Sequence, residues 1–247
     1  IPLETRDWNW SLSANATYQH NSITNLTLVE GAESPNTLVG PTVGVGGQQI
    51  QVFTEGYAPY SFYVYKQIYD EATGKPIEGL YADLDGNGTV NSNDLYHYHS
   101  IFPDWIFGFS TMLQWKKFYF STSLRANVGN YIYNNVAMDT GAFGTISYNN
   151  YELNNLHRSY LETGFVNRQQ LSDHYVENAS FLRMDNLQIG YNFGRINNLL
   201  SMNLSAMVQN VFTITRYSGV DPENNSGVDS SVYPRPRIYS LTLGLEF

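Results

Sequence analysis

Trp105-Ile-Phe-Gly-Phe-Ser-Thr-Met-Leu-Gln-Trp115-Lys-Lys-Phe118-Tyr-Phe-Ser-Thr-Ser-Leu-Arg-Ala-Asn-Val128 decides how the fold is read. Trp105, Phe107, Phe109, Thr111, Leu113 and Trp115 share one parity. Lys116-Lys117 make a tight turn, and Phe118, Phe120, Thr122, Leu124, Ala126 and Val128 continue the apolar face. Tyr119, Ser121, Ser123, Arg125 and Asn127 take the polar side. A period of two marks β-strands, and these runs exceed the five or six residues usual in globular sheets. Trp105 to Trp115 covers roughly 33 Å of strand. Tilted by about 40°, that spans roughly 25 Å, the height of the apolar band of a membrane β-barrel. The two Trp would then mark the two interfaces.

The same parity recurs outward from this hairpin. Trp8, Trp10, Leu12, Ala14, Ala16 and Tyr18 alternate with Asn9, Ser11, Ser13, Asn15 and Thr17. Leu187, Ile189, Tyr191 and Phe193 alternate with polar residues and Gly190, as do Met202, Leu204, Ala206 and Val208. Tyr239, Leu241, Leu243, Leu245 and Phe247 close the chain. Six membrane strands are predicted, over 8–20, 105–115, 118–132, 181–193, 200–213 and 238–247. The turns at 116–117 and 194–199 are short, whereas 21–104, 134–178 and 215–236 are long, the alternation of periplasmic turns and outside loops. The smallest bacterial barrels have about eight strands, and an open sheet in lipid leaves unpaired backbone at its edges. The expected fold class is therefore all-β: a transmembrane antiparallel segment of a larger barrel with long extracellular loops. Residues 1–247 are read as its C-terminal part, with the remaining strands elsewhere.

Composition narrows the function. Aromatics make up 15 % of residues and charged residues only 14 %, against a usual quarter charged. The mean hydropathy of −0.33, with no run of eighteen apolar residues, excludes a helical membrane protein. Strand-type membrane proteins look soluble by such averages, because polar lumen-facing residues alternate with apolar ones. A net charge of −9 without a basic stripe leaves nothing to neutralise phosphates, so nucleic acid is excluded. Zero Cys excludes disulfides, thiolate metal sites and cysteine nucleophiles. No signal peptide is visible in Ile1-Pro-Leu-Glu-Thr5. An outer-membrane protein needs one, so it was cleaved or the chain is the later part of a longer polypeptide.

Asp83-Leu-Asp85-Gly-Asn87-Gly-Thr89-Val-Asn91-Ser-Asn-Asp94 reads as a calcium loop. Such a twelve-residue loop needs oxygen ligands at positions 1, 3 and 5, a carbonyl at 7, a ligand often through water at 9, and an acid at 12, with Gly at 6. Asp83, Asp85, Asn87, Thr89, Asn91 and Asp94 fill those places, with Gly88 at the sixth and Val90 at the apolar eighth. The departure is Asp94, where an EF-hand has Glu, as in the dockerin version of the loop. The bland alternative is an Asx-rich turn. The expected role of Ca2+ is structural, bracing a long outside loop.

Other motifs are weaker. His97 and His99 lack a third ligand nearby, and Gly44-Val-Gly46-Gly47 lacks the flanking strand and helix of a phosphate loop. No G-x-S-x-G, H-E-x-x-H or Walker pattern occurs, and Glu55, Asp70 and Glu71 have no spacing that makes an acid–base pair. Tyr57, Tyr60, Phe62, Tyr63 and Tyr65 crowd the first long loop, either as a stacking platform for sugars or peptides or as loop packing.

In this order the motifs resemble SusC/RagA-type TonB-dependent outer-membrane transporters of the Bacteroidota. The resemblance is carried by Glu55-Gly56-Tyr57 through Tyr65, Tyr81-Ala-Asp83-Leu-Asp85-Gly-Asn87-Gly, and Phe107-Gly108-Phe109. It continues in Gly129-Asn130-Tyr131, Phe181 through Phe193, Gln209-Asn210-Val-Phe212, Tyr217-Ser-Gly219-Val-Asp221-Pro222-Glu223, Tyr233-Pro-Arg235-Pro-Arg237 and Phe247. The resemblance implies a 22-strand barrel with an N-terminal plug, contact with TonB, and a SusD-like lipoprotein over the extracellular mouth. It implies uptake of glycans or peptides, and a terminal Phe247 that resembles the assembly signal of barrel insertion. Trp8, Trp10, Trp105 and Trp115 are expected at the membrane girdles, and Tyr119 and Arg125 face the lumen, where substrate passes. The rival readings are a secreted calcium-dependent carbohydrate-binding β-sandwich and a β-sandwich glycosidase. The latter needs paired inward carboxylates, which the strands lack apart from Glu246.

Overall fold

Seven strands run antiparallel in chain order through one sheet: Leu3–Glu4, Trp8–Tyr18, Trp105–Trp115, Phe118–Val128, Phe181–Ile196, Leu200–Thr215 and Ile238–Glu246. The structure, a computed structural model, describes residues 3–28, 34–44, 46–148, 152–196, 200–231 and 233–247. The six long strands are those the alternation predicts. Register keeps the apolar parity in one row: Trp8 pairs with Trp115, Trp115 with Phe118, Phe118 with Tyr191, Tyr191 with Leu204, and Leu204 with Leu243. This sheet is here called the wall.

Three of the predicted strands end several residues from where they were expected, and those over 8–20 and 238–247 stop slightly early, at Tyr18 and Glu246. The strand expected over 118–132 stops at Val128, because at Gly129 the chain leaves the wall. Tyr131–Tyr133 instead pairs with Val176–Asn178 in a separate two-stranded sheet. The strands expected over 181–193 and 200–213 run further, to Ile196 and Thr215. Residues 197–199 of the predicted turn lie outside the described residues. A bulge at Asp185 interrupts the pairing, since Ser123 faces Asn186 and Leu124 faces Met184. One extra residue inverts parity. Beyond the bulge, Leu182 and Met184 join the apolar face and Arg183 falls opposite Arg125 on the polar one.

The long connections are not loose. The described parts of segments 19–104, 129–180 and 216–237 build a second layer, here called the cap. Its main sheet has the order Thr37–Val43, Gln48–Phe53, Ser61–Tyr65, Leu95–Ser100, beside a hairpin of Gln67–Tyr69 and Pro76–Tyr81. A short helix, Asn135–Thr140, starts where the Asn134 side chain accepts the Ala137 N–H at 2.9 Å. Val43, Ile50, Phe62, Val64, Tyr133, Met138, Phe165, Tyr175 and Val228 form one buried cluster drawn from all three connections. Backbone bonds tie them: Tyr65 N–H to Leu171 carbonyl at 2.7 Å, Tyr133 N–H to Gly227 carbonyl at 2.8 Å. Among the described residues, Phe181 is the one buried hydrophobic side chain that belongs to a wall strand. The core of this chain therefore sits in its cap. No helix among the described residues is long and apolar enough to cross a membrane, which says nothing of crossing by strands.

Candidate functional site

The outer face of the wall ends in aromatic rows. At the hairpin rim, Trp8 stacks on Trp115 at 5.6 Å between ring centroids, Trp115 lies 6.0 Å from Phe118, and Phe118 meets Tyr191 edge-on at 4.6 Å. At the opposite rim Tyr18 lies 5.0 Å from Trp105, which stacks on Phe107 at 5.8 Å. Trp105 and Trp115 thus stand at the two ends of one strand. Trp10 sits one pair inward from Trp8, and its indole N–H donates to Thr111 Oγ1 at 2.8 Å.

The inner face is hydroxyl- and amide-rich. Ser13, Ser110, Ser123 and Asn186 form one cross-strand row. Tyr119 lies across Gly190, where an added Cβ would fall 2.1 Å from the phenol ring, so only glycine admits that ring. Arg125, the other expected lumen residue, is fully engaged. Its Nε donates to Asp185 Oδ2 at 2.9 Å, and its two terminal nitrogens bond Glu223. Arg183, only 3 % exposed, reaches Asp221 at 2.6 Å and Glu223 at 2.8 Å, and Arg235 reaches the same two acids at 2.7 and 2.9 Å. Three guanidinium groups and three carboxylates thereby pin the segment after Tyr217 to the wall. Burial alone would raise the Glu223 pKa, but the hydrogen bond from Arg125 and the surrounding arginine charges outweigh it and hold it below the usual range. Charge-assisted bidentate pairs of this kind are the strong ones. The segment 216–237 gives no periodicity, so sequence reading misses Asp221 and Glu223 as partners.

The calcium-type loop folds around its own acids. Asp83 accepts the N–H groups of Gly86 and Gly88, each at 2.7 Å, and Asp94 accepts those of Leu84 at 2.7 Å, Asp85 at 3.2 Å and Asn91 at 2.8 Å. Gly88 takes φ of +83°, the conformation its turn requires. Asn91 caps the 3₁₀ turn Ser92–Asp94 in a reciprocal capping box. Ligand oxygens of Asp83, Asp85 and Asp94 lie within 4.8 Å of one another, with Asp94 wholly buried. The bond from the Asn91 N–H leads the causes that hold the Asp94 carboxyl below its ordinary pKa. Asn87 and Thr89 lie in the same loop, where Asn87 Oδ1 accepts the Thr89 N–H at 2.8 Å.

The tyrosines of the first connection make ring contacts within the cap. Tyr57 stacks on His97 at 3.7 Å, with Tyr63 5.0 Å from the same ring. Tyr60 meets Phe53 edge-on at 4.9 Å, and Tyr65 lies 5.1 Å from Tyr81. His97 Nε2 bonds Thr54 Oγ1 at 2.9 Å and His99 stacks on Tyr131 at 3.6 Å, so the two histidines do not converge.

No protein-family model matches the chain. Against known proteins it is 38 % identical over its whole length to the TonB-dependent receptor SusC of Bacteroides thetaiotaomicron. Solved structures of the RagAB peptide transporter superpose on 98 % of it with a TM-score of 0.70 at 26 % identity. The chain belongs to the SusC/RagA-type TonB-dependent receptors. A second relative, TonB-dependent receptor P3 of Formosa agariphila, is 28 % identical over 99 % of the chain. The RagAB peptide importer in its open-open state matches with a TM-score of 0.71 at 25 % identity. The chain spans about a quarter of the length of these relatives, from 25 % of SusC to 27 % of P3 and of the RagAB chain. SusC/RagA-type receptors are outer-membrane proteins and transporters rather than enzymes, so the apolar face of the wall is its lipid face.

Proposed function

We propose that this chain is the C-terminal barrel portion of a TonB-dependent outer-membrane importer of oligosaccharides or peptides. One observation carries the proposal: a single apolar face continuous through six consecutive long strands, rimmed by aromatics, beneath a cap with a core of its own. The kinship with SusC and RagAB gives that geometry its context. In this reading the plug and remaining strands lie outside residues 1–247. TonB acts through that plug, the cap forms the extracellular mouth, and a SusD-like lipoprotein docks on it. Tyr119, whose hydroxyl has no partner among the described residues, is the lumen residue free to touch substrate, while Arg125 holds the cap. Asp83, Asp85, Asn87, Asn91 and Asp94, with the Thr89 carbonyl, would hold a calcium ion. That ion supplies the positive charge three converging carboxylates need.

The test is detergent extraction of native envelopes followed by mass spectrometry of what co-purifies with this chain. The expected result is barrel and plug sequence together with a surface lipoprotein. A chain that stays soluble and monomeric without detergent is a secreted module instead, and the importer reading falls.

A further inference from the structure

We infer that the wall carries a site on its lipid face for one phosphate-bearing lipid of the outer leaflet, held by Arg216. The inference rests on the importer reading above, in which the cap side is the outer side.

Register sets the depth of each group. Ile106, Asn127, Phe181 and Thr215 form one paired row across four strands. One residue away from the cap, Phe107, Ala126, Leu182 and Ile214 form the next row, all on the apolar face. One residue toward the cap, Trp105 pairs with Val128, and Ser180 and Arg216 follow. The Thr215 hydroxyl donates to the Ser180 carbonyl at 2.8 Å, which keeps the two segments together there. Tryptophan favours the depth of the headgroups, so Arg216 sits at that depth while Ile214 lies in hydrocarbon.

A groove of about 520 Å³ runs through these rows, lined by Ala126, Val128, Leu182, Ile214 and Arg216 among others. The methyl of Ala126, between the larger Phe107 and Leu182, leaves the wall hollow at this point. The bulge at Asp185 turns Leu182 onto this face and Arg183 away from it, which keeps the groove apolar.

Charge selects the headgroup. Arg216 is exposed, and its guanidinium has no hydrogen-bond or ion-pair partner among the described residues. Arg125 and Arg183, on the lumen face, are by contrast bound to carboxylates. No acidic residue lines the groove, and the carboxylate of Asp104 lies against Gly129. A chain of net charge −9 thus presents a free cation above an apolar groove. Guanidinium receives phosphate through two parallel bonds, and an acyl chain fills a groove that a soluble anion leaves empty. A lipid with a phosphate headgroup meets both demands in one molecule.

The experiment uses the intact transporter that contains this chain, purified in detergent, with bound lipid counted by native mass spectrometry. It is titrated with dimyristoyl phosphatidic acid and with dimyristoylglycerol, which has the same chains and no phosphate. The rest of the lipid face is common to wild type and variants, so their difference reports this site. Phosphatidic acid should bind about tenfold or more tighter than the diacylglycerol, and Arg216→Ala should weaken its tightest adduct by a similar factor. Arg216→Lys should keep part of the affinity, and Ala126→Phe, which fills the groove, should lower it. Arg216 is exposed, so its variant decides the matter if Ala126→Phe fails to fold. No preference for phosphatidic acid, or a tightest adduct unchanged in Arg216→Ala, overturns the site; such an arginine merely reaches for water. Binding unchanged in folded Ala126→Phe also overturns it, as does equal competition by glycerol 3-phosphate, which would make the site one for soluble phosphate. A barrel that assembles in detergent yet fails these tests sinks the lipid site alone, whereas a chain soluble without detergent sinks the importer reading.

Discussion

Wall and cap are made from the same chain in alternation, yet they solve opposite problems. Wall strands turn their largest apolar side chains outward: Leu241 is 75 % exposed and Ile189 54 %. The cap hides its own, with Phe62 at 0 % and Phe165 at 1 %. Each pattern is stable only in its own solvent. In lipid an outward Leu costs nothing and every backbone group must be paired within the sheet, whereas in water the same Leu must be covered. The six-strand register serves the first demand and the three-loop core serves the second.

The largest test of this contrast is in the cap. Phe62→Ala removes a fully buried ring and leaves a cavity, at about 3–5 kcal/mol. Phe109→Ala on the wall loses transfer energy, about 1.5–3 kcal/mol, without a cavity, because lipid chains fill the gap. Heat-induced unfolding of the detergent-solubilised protein should rank them in that order, and equal losses would mean that the cap has no independent core.

A somewhat smaller effect separates the faces of one strand. Leu243→Arg, mid-strand on the lipid face, should destabilise by about 2–4 kcal/mol. Thr242→Arg, one residue away on the polar face, should cost little. Insertion yield into liposomes reads the difference, and similar yields for both would reverse the assignment of faces.

The smallest effect concerns the loop 83–94. Asp94 has an ordinary value of 3.8 that folding lowers. A depressed carboxylate contributes fully above its ordinary value and loses that contribution as the pH falls through the folded one. Hydrogen exchange across 83–94, taken relative to its intrinsic rate at each pH, should therefore quicken as the pH drops below about 4. At neutral pH it should also quicken on adding EDTA and recover with calcium, while wall exchange stays unchanged. Exchange indifferent to metal would leave the loop an Asx-rich turn.

The wall was legible because its constraint is local and periodic. Parity from Trp8 to Tyr18 or from Phe118 to Val128 needs no knowledge of partners. It misled at Gly129, where the chain leaves the wall, and it carried no signal of the Asp185 bulge, which turns Arg183 inward. The cap was opaque for the opposite reason. Arg125 and Glu223 meet across 98 positions of sequence, and Ile50, Tyr133 and Val228 pack together from three separate connections. No short window carries such contacts, so the tyrosine-rich run could be read as a platform or as packing. The six calcium-type positions were legible as a pattern, and the structure adds that the three acids converge.

The cap core also fixes an order of events in time. Val43 cannot find Val228 until the third connection has been made. Through that interval Phe62, Tyr133 and Phe165 stay uncovered in water, the condition in which exposed apolar surface invites aggregation. Completion of the cap core is therefore held back until the chain as far as Val228 is in place. During assembly the unfinished cap, rather than the wall, is the part most in need of a chaperone.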